Sequence, residues 1–140
     1  MDRTSSDRKE LRALVDEQST LAEGLVRLAP YSRAEIASAI HRLRTVLLER
    51  HPYRDPRSPG KRSGLVDGRI ARRLEGEHRI FVTSIEQLEW FFQIVQDEDH
   101  GGNRQALGQY WKLLLEALQR HLDDEDVLEV RLARTSGRGG

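Results

Sequence analysis

Residues 114–125 read LLEALQRHLDDE, and the fold can be argued outward from this stretch. Leu114, Leu118 and His121 recur at helical spacing, and Glu125 lies four residues after His121. Positions three and four apart lie on one face of an α-helix. We therefore expect His121 and Glu125 to face the core, where a buried imidazole and carboxylate need polar partners or a metal ion. The same stripe continues through the apolar residues Leu107, Trp111, Leu128 and Leu132.

Composition narrows the class of protein. The chain has 140 residues, enough for one domain with a real core. Its 23 basic and 23 acidic residues give a net charge of zero, which predicts no nucleic-acid or membrane partner. The absence of cysteine excludes disulfides, thiolate metal sites and cysteine nucleophiles. The charged first ten residues are unlike a signal peptide, and no apolar run is long enough for a membrane span, so we expect a cytoplasmic protein.

Two helices are predicted in the first third of the chain. The first should span about residues 7–28, and Gln18 interrupts its apolar stripe of Leu11, Leu14, Val15, Leu21, Ala22 and Leu25. After a break at residues 29–31, Ser32 and Glu35 form a capping box that opens the second helix. That helix should end at or just before His51, because Pro52 disfavours helical geometry at the preceding residue. Its apolar face is Ile36, Ile40, Leu43 and Leu47.

Two further helices are predicted in the second half. The third should begin between residues 65 and 75 and end at the glycine-rich turn 99–102. The fourth should span about residues 103–133. No strand pattern occurs, so we predict an all-α, antiparallel four-helix bundle in which the first and second helix pairs are related by approximate two-fold symmetry. Residues 7–133 would form this single domain, residues 1–6 a disordered start and residues 134–140 a flexible tail.

Polar residues interrupt all four apolar stripes. They are Gln18, His51, His78, and His121 with Glu125, whereas His41 and His100 fall off the stripes. In an up-down bundle, the end of the second helix, the start of the third and the end of the fourth lie near one end. Histidines and carboxylates that converge there would suit iron, manganese or zinc.

The motifs Glu77-His78-Arg79 and residues 120–128, RHLDDEDVL, resemble the hemerythrin-like (HHE cation-binding) domain. In that family each helix pair supplies a histidine early in its first helix and an H-x-x-x-E/D motif late in its second. The resemblance covers roughly residues 10–132 and implies a non-haem iron protein, mono- or dinuclear, in oxygen or redox sensing or in iron handling. The ligand set it implies is His78, His121 and Glu125, with His51 and Asp55 as weaker candidates and Gln18 in the place of a histidine. This set makes an incomplete di-iron site.

Each of these residues also has a plain structural explanation. His121 and Glu125 would form a hydrogen-bonded pair, His78 would bond to a nearby acid, His51 would sit at a helix C-terminus and Gln18 would be partly exposed. The alternative function is therefore a metal-free interaction or regulatory module. With either function we do not expect a classical enzyme. The contact surface of such a module, for a protein partner or a homodimer, would be Trp90 and Phe91 or the basic stretch of residues 54–73.

Overall fold

The computed structural model describes the backbone of residues 3–50, 64–97 and 101–138, and the side chains of residues 8–50, 64–95 and 102–134. These parts form four α-helices and contain no strand, which confirms the predicted all-α fold class. The helices are α1 (Arg3–Val26), α2 (Arg33–Arg44), α3 (Leu65–Asp97) and α4 (Gly101–Arg138), and a π-helical segment, Thr45–Arg50, continues α2. His51 and Asp55 lie outside the described residues.

The helix ends differ from the prediction at several places, and α4 already begins at Gly101, inside the turn predicted at residues 99–102. α1 begins at Arg3 and α4 continues to Arg138, so residues expected to be a disordered start and a flexible tail include helical ones. Extending an existing helix adds one hydrogen bond per residue, which favours such continuation. α1 ends at Val26, and Leu28 adopts a left-handed φ of 58°. The N–H of Ala29 donates to Gly24 O and the N–H of Leu28 to Leu25 O, the pattern of a Schellman cap.

The predicted start of α2 is confirmed. Ser32 has extended backbone angles, and its hydroxyl accepts a hydrogen bond from the N–H of Glu35 at 3.3 Å. This bond satisfies one of the donors that the first turn of a helix leaves without a partner.

Ion pairs between helices show how the bundle is ordered. Arg12 contacts Asp123 while Lys112 contacts Glu23, so α1 and α4 are antiparallel. α3 pairs with α4 in the same reversed order, and α4 packs extensively against both α1 and α3. α4 is therefore the central helix, and its start lies beside the end of α1. The prediction of an antiparallel bundle is confirmed for these helices.

The buried side chains form two apolar clusters. The larger contains most of the residues of the predicted stripes, and the smaller contains Ala71, Leu74 and Leu128, the last of which continues the α4 stripe. Glu77 on α3 and Glu125 on α4 lie in sequence between members of the two clusters, and His121 is next to Leu122 of the larger cluster. A polar layer thus separates the main core from the end of the bundle. None of the helices, over the part of the chain that is described, has the length and apolarity needed to cross a membrane.

Candidate functional site

His121 is the centre of the polar layer. Its side chain is only 1% exposed, because the α4 stripe that buries Leu114 and Leu118 places it on the same face. Its Nε2 atom lies 2.7 Å from Oε1 of Glu125, one turn further along α4. The sequence predicted that these two residues share a face, and the structure brings them into contact.

The other ring nitrogen of His121 faces α3. Nδ1 lies 3.0 Å from Oε1 of Glu77, and the ring of Phe81 meets the imidazole edge-on with centroids 5.1 Å apart. Both polar edges of the ring therefore contact carboxylates, while an aromatic ring packs beside it.

Arg8 of α1 completes the layer. Its side chain is 7% exposed, and Nε lies 2.7 Å from Asp126 Oδ1 while Nη1 lies 3.7 Å from Glu125 Oε2. The guanidinium also pairs with Glu129. A guanidinium carries five donors in a planar fork, which suits several carboxylates at once. A chain of contacts from Glu77 through His121 and Glu125 to Arg8 thus links α3, α4 and α1.

Burial and these carboxylates shift the pKa of His121 in opposite directions. Burial by itself lowers the pKa of an imidazole, but the hydrogen bonds and charges of Glu125 and then Glu77 outweigh it and raise the pKa of His121. A raised pKa favours the imidazolium, in which both nitrogens donate. The side chain then bridges two carboxylates instead of offering a lone pair.

Gln18 lies in the main core and is not partly exposed. Its side chain is fully buried, so the structural expectation of partial exposure is wrong. Its Nε2 donates to the carbonyl oxygen of Ala39 at 2.5 Å, and its Oε1 accepts from the indole N–H of Trp111 at 3.1 Å. The amide is satisfied at both ends by α2 and α4, which accounts for a polar residue in the α1 stripe.

The remaining histidines fall into separate places. His78 is half-buried on α3, one position after Glu77 and therefore about 100° further around the helix. His41 is exposed on α2, as its place off the stripe predicted. His51 and His100, like Asp55, lie outside the described residues.

In this arrangement the described side chains do not fit an iron site. Glu77 and Glu125 contact opposite nitrogens of His121, so a metal at either nitrogen would have one of these carboxylates beside it and not both. The second oxygen of Glu125 faces the guanidinium of Arg8, which repels a cation. Within the described ranges, no three histidine, aspartate or glutamate side chains are grouped so that they could hold a metal ion.

Sequence reasoning missed Arg8 and Glu77. Arg8 lies three residues before Leu11 and so continues the α1 stripe, but charged residues are seldom buried and the predicted stripe began at Leu11. Between Leu74 and Phe81, Glu77 and His78 both satisfy helical spacing. The pattern placed the histidine on the core line, whereas the structure turns the glutamate toward His121.

A groove of about 500 Å³ lies between α1 and the end of α2. Arg50 contacts Glu10 at 2.7 Å and Arg42 contacts Glu17 at 2.5 Å across it. Its lining comprises Glu10, Ala13, Leu14, Glu17, His41, Arg42, Thr45, Val46 and Arg50. His41 therefore faces this groove, which the apolar pattern of the sequence did not predict.

The proposed contact residues differ in exposure. The Trp90 side chain is 67% exposed on α3, whereas Phe91 is half-buried, with its ring centroid 6.5 Å from that of Tyr110. In the basic stretch, Arg69 and Arg72 are exposed, and Arg73 pairs with Asp124 of α4 at 2.9 Å. Trp90 is thus the more accessible of the two aromatic candidates.

Comparison with known proteins gives no relative: no family model, no curated protein and no solved structure matches this chain.

Proposed function

We propose that this chain is a metal-independent helical bundle that acts by contact with another protein. The proposal rests on one observation: the polar groups in the core already contact other side chains or backbone groups of the same chain. His121 contacts carboxylates at both nitrogens, Glu125 contacts both His121 and Arg8, and Gln18 bonds to two neighbouring helices. Because these groups already have charged or polar protein partners, a metal would have to break existing contacts to bind them.

Trp90 supports the second half of this proposal. A tryptophan exposed to 67% leaves a large apolar surface in water, and tryptophan is enriched among residues that dominate protein interfaces. The partner is a second copy of the chain or another protein. Sedimentation of metal-free wild type and of Trp90→Ala over a range of concentrations separates these two cases, since only self-association would appear in the isolated protein.

The metal-independence is tested by titrating ferrous iron, without oxygen, into untagged wild type, His121→Ala and His41→Ala. We expect no saturable binding at micromolar concentrations in any of them and no change in thermal midpoint on adding iron. His41 is the matched control because it is exposed and lies off the core stripe. Stoichiometric binding to wild type and His41→Ala that disappears in His121→Ala would contradict the proposal.

One observation favours a second candidate, the hemerythrin-like iron protein. His121 and Glu125 are in contact at the spacing of the H-x-x-x-E motif, near the end of the bundle where the resemblance puts its metal. Iron binding there would require Arg8 and Glu77 to withdraw from their present contacts with Glu125 and His121. The same titration decides between the two functions.

A further inference from the structure

We infer that Arg8 is a built-in cation that takes the place of a metal ion in the polar layer. This inference rests on the proposed function, because it explains how a bundle with carboxylates in its interior dispenses with a metal. In this role, the charge of Arg8 keeps divalent cations from binding to the polar layer.

Burying the guanidinium of Arg8 costs free energy, because the charge loses its hydration. An arginine at 6% exposure has lost most of its hydration, and such burial is tolerated when the charge is paired and hydrogen-bonded. Three carboxylates of α4 supply this pairing, those of Glu125, Asp126 and Glu129. Arg8 is therefore held at the side of α4 that carries the H-x-x-x-E motif.

Without Arg8, the three carboxylates of α4 would differ in the partners that remain to them. Asp126 retains Arg12, whose Nη2 lies 2.5 Å from its Oδ2, and Glu125 retains His121. Glu129 and the second oxygen of Glu125, one turn apart on α4, would face each other without the guanidinium between them. Neighbouring carboxylate oxygens are ligands that suit Mn²⁺.

A second arginine of α1, Arg12, makes similar contacts with α4. Arg12 lies four residues further along α1 and also contacts α4, through Asp123 and Asp126. Its side chain is 27% exposed, against 7% for Arg8, and water can replace it. Arg12 is thus a matched control with the same charge, the same two helices and one shared partner, but outside the buried layer.

The experiment measures thermal midpoints of wild type, Arg8→Met, Arg8→Lys and Arg12→Met with chelator and with millimolar Mn²⁺. Methionine keeps much of the buried volume and removes the charge. We expect Arg8→Met to melt several degrees below wild type in chelator and to recover in Mn²⁺, with Mn²⁺ affinity at least about tenfold above that of wild type. The thermal midpoints of wild type, Arg8→Lys and Arg12→Met should not change when Mn²⁺ is added. In Arg8→Met/Glu125→Gln the increase seen for Arg8→Met should disappear.

The outcomes separate this inference from the proposed function. If Mn²⁺ does not change the thermal midpoint of wild type and Arg8→Met binds Mn²⁺ no more tightly than wild type, the role of Arg8 is overturned while metal-independence stands. If wild type itself is stabilised by Mn²⁺ through His121, both are overturned. If Arg8→Met is unfolded in chelator, Mn²⁺ is added and helicity is followed by circular dichroism. Recovery of helix then supports the inference, and its absence overturns it.

Discussion

The indole N–H of Trp111 donates to Oε1 of Gln18 at 3.1 Å, and both side chains are fully buried between α4 and α1. The amide nitrogen of the same glutamine donates to Ala39 O on α2. One residue thus joins three helices by polar contacts within an apolar core. Such contacts are directional, so they select the relative placement of the helices as well as adding to stability.

Replacing Gln18 with leucine should lower the free energy of unfolding by about 1–3 kcal/mol, because the buried indole N–H loses its acceptor. Urea denaturation measures this change. The double variant Gln18→Leu/Trp111→Phe removes both partners and should recover part of the loss, whereas strictly additive losses would show that the bond contributes little.

The fold follows from the sequence because apolar spacing fixes which face of each helix is buried. Leu11, Ile36 and Trp111 all lie in the core as their stripes predicted. The ends of α1 and α4 were harder to predict. Leu28 takes the left-handed position that glycine usually fills, so the sequence carries no marker of that helix end.

The site was predicted only in part. Spacing placed His121 and Glu125 on one face, but it could not tell whether Glu77 or His78 of α3 would meet them, since both positions fit the stripe. Their partner Arg8 comes from a helix that is more than a hundred residues away in sequence. Pairing across that distance depends on the packing of α1 against α4, which no local pattern contains.

At Gly108 the backbone of α4 lies close against α1. A Cβ atom there would lie 2.8 Å from Ala22 O and 2.9 Å from both Leu25 Cβ and Val26 N. Gly108→Ala should therefore push the helices apart and cost about 1–3 kcal/mol, despite the better helix propensity of alanine. Gly76→Ala is the control, because no neighbouring atom lies within 4 Å of its Cβ position. That variant should gain up to about 1 kcal/mol, and equal effects at the two sites would contradict the packing.

Leu28→Gly should stabilise the protein. Leucine in the left-handed region is strained by about 1–2 kcal/mol, while glycine adds some entropy to the unfolded chain, so the net gain should be about 0.5–1 kcal/mol. Leu113→Gly, at an exposed position inside α4, should instead cost about 1 kcal/mol. Chemical denaturation of both variants checks the signs, and a loss in Leu28→Gly would contradict the cap described for α1.

Stability should fall as the pH rises through the raised pKa of His121. The group binds its proton more tightly when folded, so its contribution is fully present below about pH 6.5, the ordinary imidazole pKa, and is lost as the folded form deprotonates. Glu77 and Glu125 face the ring, and Arg8 faces Glu125. Unfolding free energies of wild type and His121→Gln between about pH 6 and about pH 9 test this. The wild-type slope should be the steeper, and identical slopes would count against a bridging imidazolium.

Nitrogen-15 NMR of the His121 ring tests the central claim most directly. Spectra are recorded at neutral pH on metal-free protein and after one equivalent of Zn²⁺, a diamagnetic ion that binds imidazole and carboxylate. The account predicts that both ring nitrogens carry hydrogen-bonded protons and that Zn²⁺ leaves their resonances unchanged, with exposed His41 as the reference. Loss of the Nε2 proton and a stoichiometric shift of that nitrogen on adding Zn²⁺ would contradict it.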